Sequence, residues 1–230
     1  MKLSKIYKYL LCAIFIFVLS GFTCLAEDVP NPASDFTYTA FEEGVIIIGY
    51  VGKSTTVVIP EFIEDLPVTE IGEEAFRNNL IIKKIVIPGS VQAIRSGAFA
   101  ECESLKEAVI DLAPIASIDG KYAGIPAFYG CSALTTVSIG SGIRLYIGDN
   151  AFGNCTSLKT VTLPRSVRNQ DWRDDNWPFG GCTSLKTINY RGSVSDYLFT
   201  NVMEGEISLE KHYAEALENG LVVNYNYIGD

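Results

Sequence analysis

Ala98-Phe99-Ala100-Glu101-Cys102-Glu103-Ser104-Leu105 is one instance of a phrase that the chain repeats. Ala-Phe, two residues, Cys, two residues, Leu returns with Phe128, Cys131 and Leu134, and again with Phe152, Cys155 and Leu158. It returns once more with Phe179, Cys182 and Leu185, where Pro178 stands in the alanine's place. Ala75-Phe76 opens the series, with Asn79 at the cysteine position and Ile82 at the leucine position. From Phe76 to Phe179, successive phenylalanines are 23, 29, 24 and 27 residues apart. A period in the twenties marks a solenoid, in which each repeat is one rung that cannot bury its apolar face alone.

After each motif leucine comes a short alternating run, such as Leu134-Thr135-Thr136-Val137-Ser138-Ile139 or Leu158-Lys159-Thr160-Val161-Thr162-Leu163. Apolar residues at the leucine, three on and five on, with threonine and lysine between, read as a strand with one buried face. A turn follows, often with proline, as at Pro60, Pro88 and Pro164, where a missing amide donor stops the strand. The returning segment carries Val-x-x-Ile, as in Val68 to Ile71 and Val91 to Ile94. It ends in a tight stretch such as Ile71-Gly72-Glu73-Glu74-Ala75-Phe76, which reads as one helical turn. Alanine lets that turn approach the layer below, and phenylalanine fills the space between rungs.

Four cysteines share one repeat position, which predicts a column of side chains pointing the same way. Neighbouring rungs lie ~4.8 Å apart, close enough for bridging, but parallel side-chain vectors oppose the torsion a disulfide needs. Buried free thiols are therefore expected rather than pairs. Asn79 in the same column fits, because an asparagine can satisfy backbone groups at a turn.

The first 26 residues stand apart from this pattern. Lys2, Lys5 and Lys8 form a basic region, Leu10 to Phe22 an apolar run, and Cys24-Leu25-Ala26 offers the small residues that a signal peptidase reads. The run is shorter than the ~20 apolar residues of a membrane-spanning helix, so residues 1–26 read as a secretory signal. A retained anchor and lipoprotein processing at Cys24 stay open. Loss of the three lysines takes the formal net charge from −9 to −12 over the 204 residues that remain. Such an acidic chain repels phosphate backbones, which argues against nucleic acid as a partner.

Residues 27–35, with Pro30 and Pro32, read as a short mobile leader. Residues 36–230 then form one repeat domain. Phe36-Thr37-Tyr38 and Val45 to Ile48 suggest an N-terminal capping hairpin over about 36–56, repeats follow over about 57–190, and a C-terminal cap occupies about 191–230. In that cap Ser208 opens a helix that runs through Leu217 and stops near Gly220, and Leu221 to Tyr227 is a strand candidate.

The pattern resembles the BspA-like branch of the leucine-rich repeats, found in bacterial surface and secreted proteins. The resemblance runs from about Phe36 to Tyr227 and rests on the Ala-Phe-x-x-Cys-x-x-Leu series, on Ile71 to Phe76, and on Gly49-Tyr50-Val51-Gly52 to Val57-Val58-Ile59-Pro60. It implies an α/β solenoid: a right-handed superhelix with a parallel sheet on one face and short helical turns on the other, capped at both ends. It also implies a non-enzymatic secreted or cell-surface protein that recognises a protein or glycan, with adhesion to host or neighbouring cells as the sharpest version. A self-assembling surface component and an enzyme of unknown type are the alternatives.

Two repeats carry extra residues at one place. One insertion spans 111–126 and includes Tyr122; the other spans 169–177 and holds both tryptophans, Trp172 and Trp177, beside Arg173. Insertions at equivalent positions emerge on one side of a solenoid, and exposed aromatics amid hydrogen-bonding neighbours suit a protein or glycan contact. Trp172, Trp177, Tyr122 and Arg173 are the candidate binding residues, although both tryptophans also fit a role in covering a widened rung. Asp171, Asp174 and Asp175 lack the spacing of a calcium loop, so no metal or cofactor is expected. The single histidine, His212, lies far in sequence from every cysteine of the series, and no catalytic residue is assigned.

Overall fold

The computed structural model describes residues 28–120, 124–140, 144–167, 177–192, 220–225 and 228. An antiparallel hairpin, Phe36–Phe41 (β1) with Gly44–Tyr50 (β2), comes first. The first rung holds Thr56–Val58 (β3), Phe62–Ile63 (β4) and Leu66–Ile71 (β5). The second holds Lys84–Ile87 (β6) and Ala93–Ile94 (β7), and the third Glu107–Ile110 (β8) and Ile115–Ile118 (β9). Thr136–Ile139 (β10) and Arg144–Ile147 (β11) form the fourth, and Thr160–Leu163 (β12) belongs to the fifth. Thr187–Tyr190 (β13) and Val222–Asn224 (β14) continue the stack.

These strands make two seven-stranded sheets. One, the front sheet, runs β14-β13-β12-β10-β8-β6-β3 and is parallel throughout. Its strands are the alternating runs after each motif leucine. The other, the back sheet, runs β1-β2-β5-β7-β9-β11 with β4 paired to β5. It is built from the returning segments, so a second sheet stands where the sequence suggested only a return. The molecule is a β-solenoid of about five turns.

The expected helical turns are not present. Among the described residues the only helical element is a three-residue 3-10 turn, Ala33–Asp35. Backbone sign alternation explains this. The residue two after each phenylalanine is left-handed: Asn78, Glu101, Gly130, Asn154 and Gly181 have φ of 57°, 60°, 74°, 56° and 74°. Glu74, Gly97 and Asn150, just before the alanine, are left-handed as well. A right-handed helix cannot propagate through such positions. The amides are also committed elsewhere: Phe76, Phe99 and Phe128 donate to the carbonyls of Ala98, Ala127 and Ala151 in the next rung, at 2.7, 2.7 and 2.8 Å. Phe152 donates likewise to Pro178 at 2.9 Å. That bond needs only a carbonyl, which is why proline is tolerated at the alanine position.

Between the sheets and the Ala-Phe turns lies one continuous core. Phe76, Phe99, Phe128, Phe152 and Phe179 are buried and stack with ring centroids 4.8, 4.8, 4.9 and 5.6 Å apart. Leu105, Leu134, Leu158 and Leu185 line the same interior. Stacking at rung spacing lets each ring use both faces, so every rung shields its neighbour from water.

Cys102, Cys131, Cys155 and Cys182 are free, the first three buried and Cys182 half-buried. Each thiol donates to the phenylalanine carbonyl of the preceding rung: Cys102 to Phe76 at 3.0 Å, Cys131 to Phe99 at 3.1 Å, Cys155 to Phe128 at 3.3 Å and Cys182 to Phe152 at 3.1 Å. Asn79, in the first rung, instead accepts from the amides of Ile81 and Ile82 through Oδ1, both at 3.1 Å.

Residues 28–35 make specific contacts with the first rungs. Asn31 donates its amide to the Val58 carbonyl at 2.8 Å, and its Oδ1 accepts from the Val58 amide at 2.9 Å. Asp28 pairs with Lys84 at 2.8 Å. The physical reason is the open edge of β3, whose polar groups need partners. At the other end, β14 realises part of the predicted closing strand. The expected helix from Ser208 to Leu217 lies outside the described residues, as do the signal segment and His212.

Candidate functional site

Of the four candidate binding residues, Trp172, Arg173 and Tyr122 lie outside the described residues. Trp177 is described. Its ring is 8% exposed and meets Phe179 edge-on, with centroids 5.4 Å apart. Its carbonyl accepts the Asn150 amide at 3.1 Å. Trp177 thus packs against the end of the phenylalanine stack, directly before the Pro178-Phe179 turn. The 111–126 insertion is likewise narrower than the sequence suggested. Ile115–Ile118 is a regular back-sheet strand, so the extra residues fall after it.

The front sheet supplies a second surface, apart from the insertions. Alternation places the second and fourth residues of each strand inward, as with Ile85 and Ile87, or Val137 and Ile139. The other two face out. Parallel registration then aligns the outward residues across rungs: Lys84, Glu107, Thr136, Thr160 and Thr187 in one row, and Val86, Val109, Ser138, Thr162 and Asn189 in the next. From β10 onward these rows carry hydroxyls and amides and no carboxylate. Asn224 extends the second row, donating through Nδ2 to Asn189 Oδ1 at 2.8 Å. Thr162 is buried, so it is not itself available.

Charge is handled differently along the sheet. In the first rungs Lys84 bridges Asp28 at 2.8 Å and Glu107 at 3.8 Å. The hydrogen bond to Asp28 raises the Lys84 ammonium above its ordinary range, with Glu107 adding attraction. On the back sheet, Arg95 holds Glu70 through two hydrogen bonds of 2.8 and 2.7 Å, an exposed pair. Burial raises the nearby Asp119 carboxyl, opposed by Arg95. Each cluster sets one cation against two carboxylates.

The thiols lie in the apolar interior, where burial pushes Cys131 well above its usual range and the neighbouring thiols add to the shift. A reactive thiolate needs an accessible, electropositive setting instead. Among the described residues, no three His, Cys, Asp or Glu side chains gather where they could hold a metal ion. No helix among them is long and apolar enough to cross a membrane.

The stacked phenylalanine turns and leucine-headed strands define a leucine-rich-repeat solenoid. Residues 35–123 and 121–216 match the family described as BspA type leucine rich repeat region, in six copies. The chain belongs to that family. Among solved structures it is similar to the T. pallidum leucine rich repeat protein, at 27% identity, with TM-score 0.56, covering 86% of this chain and 82% of that one. It is also similar to the pneumococcal vaccine antigen PcpA, at 15% identity and TM-score 0.52, over 86% of this chain and 49% of that one, which shows the fold alone. A leucine rich cell surface protein from Faecalibacterium prausnitzii aligns at 23% identity and TM-score 0.47, over 72% of this chain and 46% of that one. No curated protein matches by sequence.

Proposed function

We propose that the chain is a non-enzymatic binding protein, exported and displayed at the cell surface or secreted, whose recognition surface is the outward face of the front sheet. One observation carries this reading: the outward residues of β10, β12 and β13 form aligned polar rows, with Thr136 exposed and Thr160, Thr187, Ser138 and Asn189 partly so. Aligned hydroxyls and amides on a rigid sheet give a preorganised surface, so little side-chain entropy is lost on contact. Adhesion to host or neighbouring cells is the role this surface would serve. Trp172, Arg173 and Tyr122, in the two insertions, are proposed to extend the contact beside the sheets. Cys24 is proposed as a lipid attachment point if the chain stays tethered.

The test is binding of the protein to arrayed extracellular-matrix proteins and glycans. Asn189→Arg tests the sheet face and Trp172→Ala tests the fifth-repeat insertion. Saturable binding that Asn189→Arg weakens at least about tenfold, with unfolding still cooperative, supports the sheet face, since a buried contact replaced by a bulky charge costs a few kcal/mol. Binding untouched by Asn189→Arg but lost in Trp172→Ala would move the site to the insertion.

A further inference from the structure

The residue at the mouth of each front-sheet strand builds a second, charged column. The Lys83 amide donates to the Thr55 carbonyl at 2.7 Å, Lys106 to Lys83 at 2.8 Å, Thr135 to Lys106 at 2.9 Å, Lys159 to Thr135 at 2.9 Å and Lys186 to Lys159 at 3.0 Å. This backbone ladder stacks four lysines and two threonines, Thr55 and Thr135, one residue per rung, ~4.8 Å apart. All four lysines are exposed. Lys83, Lys106 and Lys159 make no ion pair with any described residue, in a chain that carries 27 acidic against 18 basic residues. Like charges side by side on neighbouring strands repel. Three of the four column lysines thus stand without a carboxylate partner among the described residues.

We infer that this lysine column binds a linear carboxylated polysaccharide laid along the solenoid axis. The inference rests on the front-sheet reading above and names its ligand. Three features favour a sugar polyanion. The residue after each column position from the fourth rung on is a threonine (Thr136, Thr160, Thr187), so a row of hydroxyl residues is in register next to the column along the sheet, as sugar hydroxyls and acid groups require together. Front-sheet outward positions carry no aromatic among the described residues, so nucleic-acid bases have nothing on which to stack. The backbone along the column is already paired between rungs, which leaves no strand edge for an acidic peptide. The overall acidity selects further: a chain of sparse carboxylates meets less repulsion from the rest of the molecule than a dense phosphate chain does.

The experiment measures binding of the full chain to hyaluronate, neutral dextran, single-stranded DNA and poly-glutamate at low and high salt. The variants are Lys106→Gln/Lys159→Gln, and Lys53→Gln as an exposed charge control off the column. The inference expects saturable, salt-sensitive hyaluronate binding, unchanged in Lys53→Gln and weakened at least about tenfold in the double variant, the loss of charged hydrogen bonds. It is overturned if hyaluronate does not bind, if the double variant binds equally, or if DNA or poly-glutamate binds as well as hyaluronate. Saturable binding to an arrayed protein or neutral glycan without hyaluronate binding overturns this inference alone and leaves the proposed function standing.

Discussion

Asn31 pairs with Val58 twice, once through its backbone amide and once through its side-chain oxygen, at 2.8 and 2.9 Å. One residue of the leader thereby does for β3 what a neighbouring strand would do. Among the described residues no front-sheet strand lies beyond β3, so its edge would otherwise expose unpaired polar groups.

Replacing Asn31 by alanine is expected to lower stability by about 1–2 kcal/mol, through loss of two side-chain hydrogen bonds, the one Oδ1 accepts from the Val58 amide and the one Nδ2 donates to Asp35. Urea unfolding measures it. No change in the midpoint would mean that water serves the Val58 amide equally well, and that the leader contributes nothing to the first rung.

The thiol column gives a pH signature. The Cys131 thiol is raised well above its ordinary range by burial and by its neighbours Cys102 and Cys155. In the unfolded chain it ionises near pH ~8.5. Below that pH both states hold the proton and the group's stabilising effect is fully present. Above it the unfolded state releases a proton that the folded state keeps, so stability falls with pH, by up to about 1.4 kcal/mol per unit for the thiol. Urea unfolding between neutral and alkaline pH should show this slope, flattened in Cys131→Ala. A thiol reagent should meanwhile leave Cys131 untouched in the native protein. Rapid native labelling at Cys131 would show that the column is accessible and overturn the account.

The left-handed turn position makes a paired prediction. Gly130 has φ of 74°, and a Cβ built there meets nothing nearer than 3.6 Å. Gly130→Ala therefore costs only backbone strain, about 1–2 kcal/mol. Glu101 holds φ of 60° at the equivalent place one rung earlier, with only a loose 3.7 Å contact to Arg77. Glu101→Gly should therefore be stabilising or neutral, by up to about 1 kcal/mol. Thermal unfolding of the two variants reads both signs; a loss of stability in Glu101→Gly comparable to Gly130→Ala would show that something other than φ governs these turns.

Much of the architecture was readable before any coordinates. Phe99, Cys102 and Leu105 and their counterparts recur at one spacing because each rung meets its neighbours in the same way. The same regularity announced the free thiol column and the special place of Asn79. The turns differ from their local preference: Glu74-Ala75 are good helix formers, but φ signs at Glu74 and Asn78 and the amide bonds to the next rung override that preference. The candidate site was less legible. Attention went to Trp177 because it is rare and lies in an insertion, whereas Lys83, Lys106 and Lys159 look unremarkable one at a time.

Periodicity alone established the solenoid, the strand that follows each motif leucine and the residues that stack inside, because translational repetition writes the same packing demand into every rung. Tertiary structure decided which surplus residues are interior, as Trp177 is; that the leader seals the β3 edge; that returning segments form a second sheet; and that lysines about one turn apart in sequence share one line. Each of these depends on contacts between rungs. A local reading of the chain contains the residues of such contacts but not the registration that brings them together.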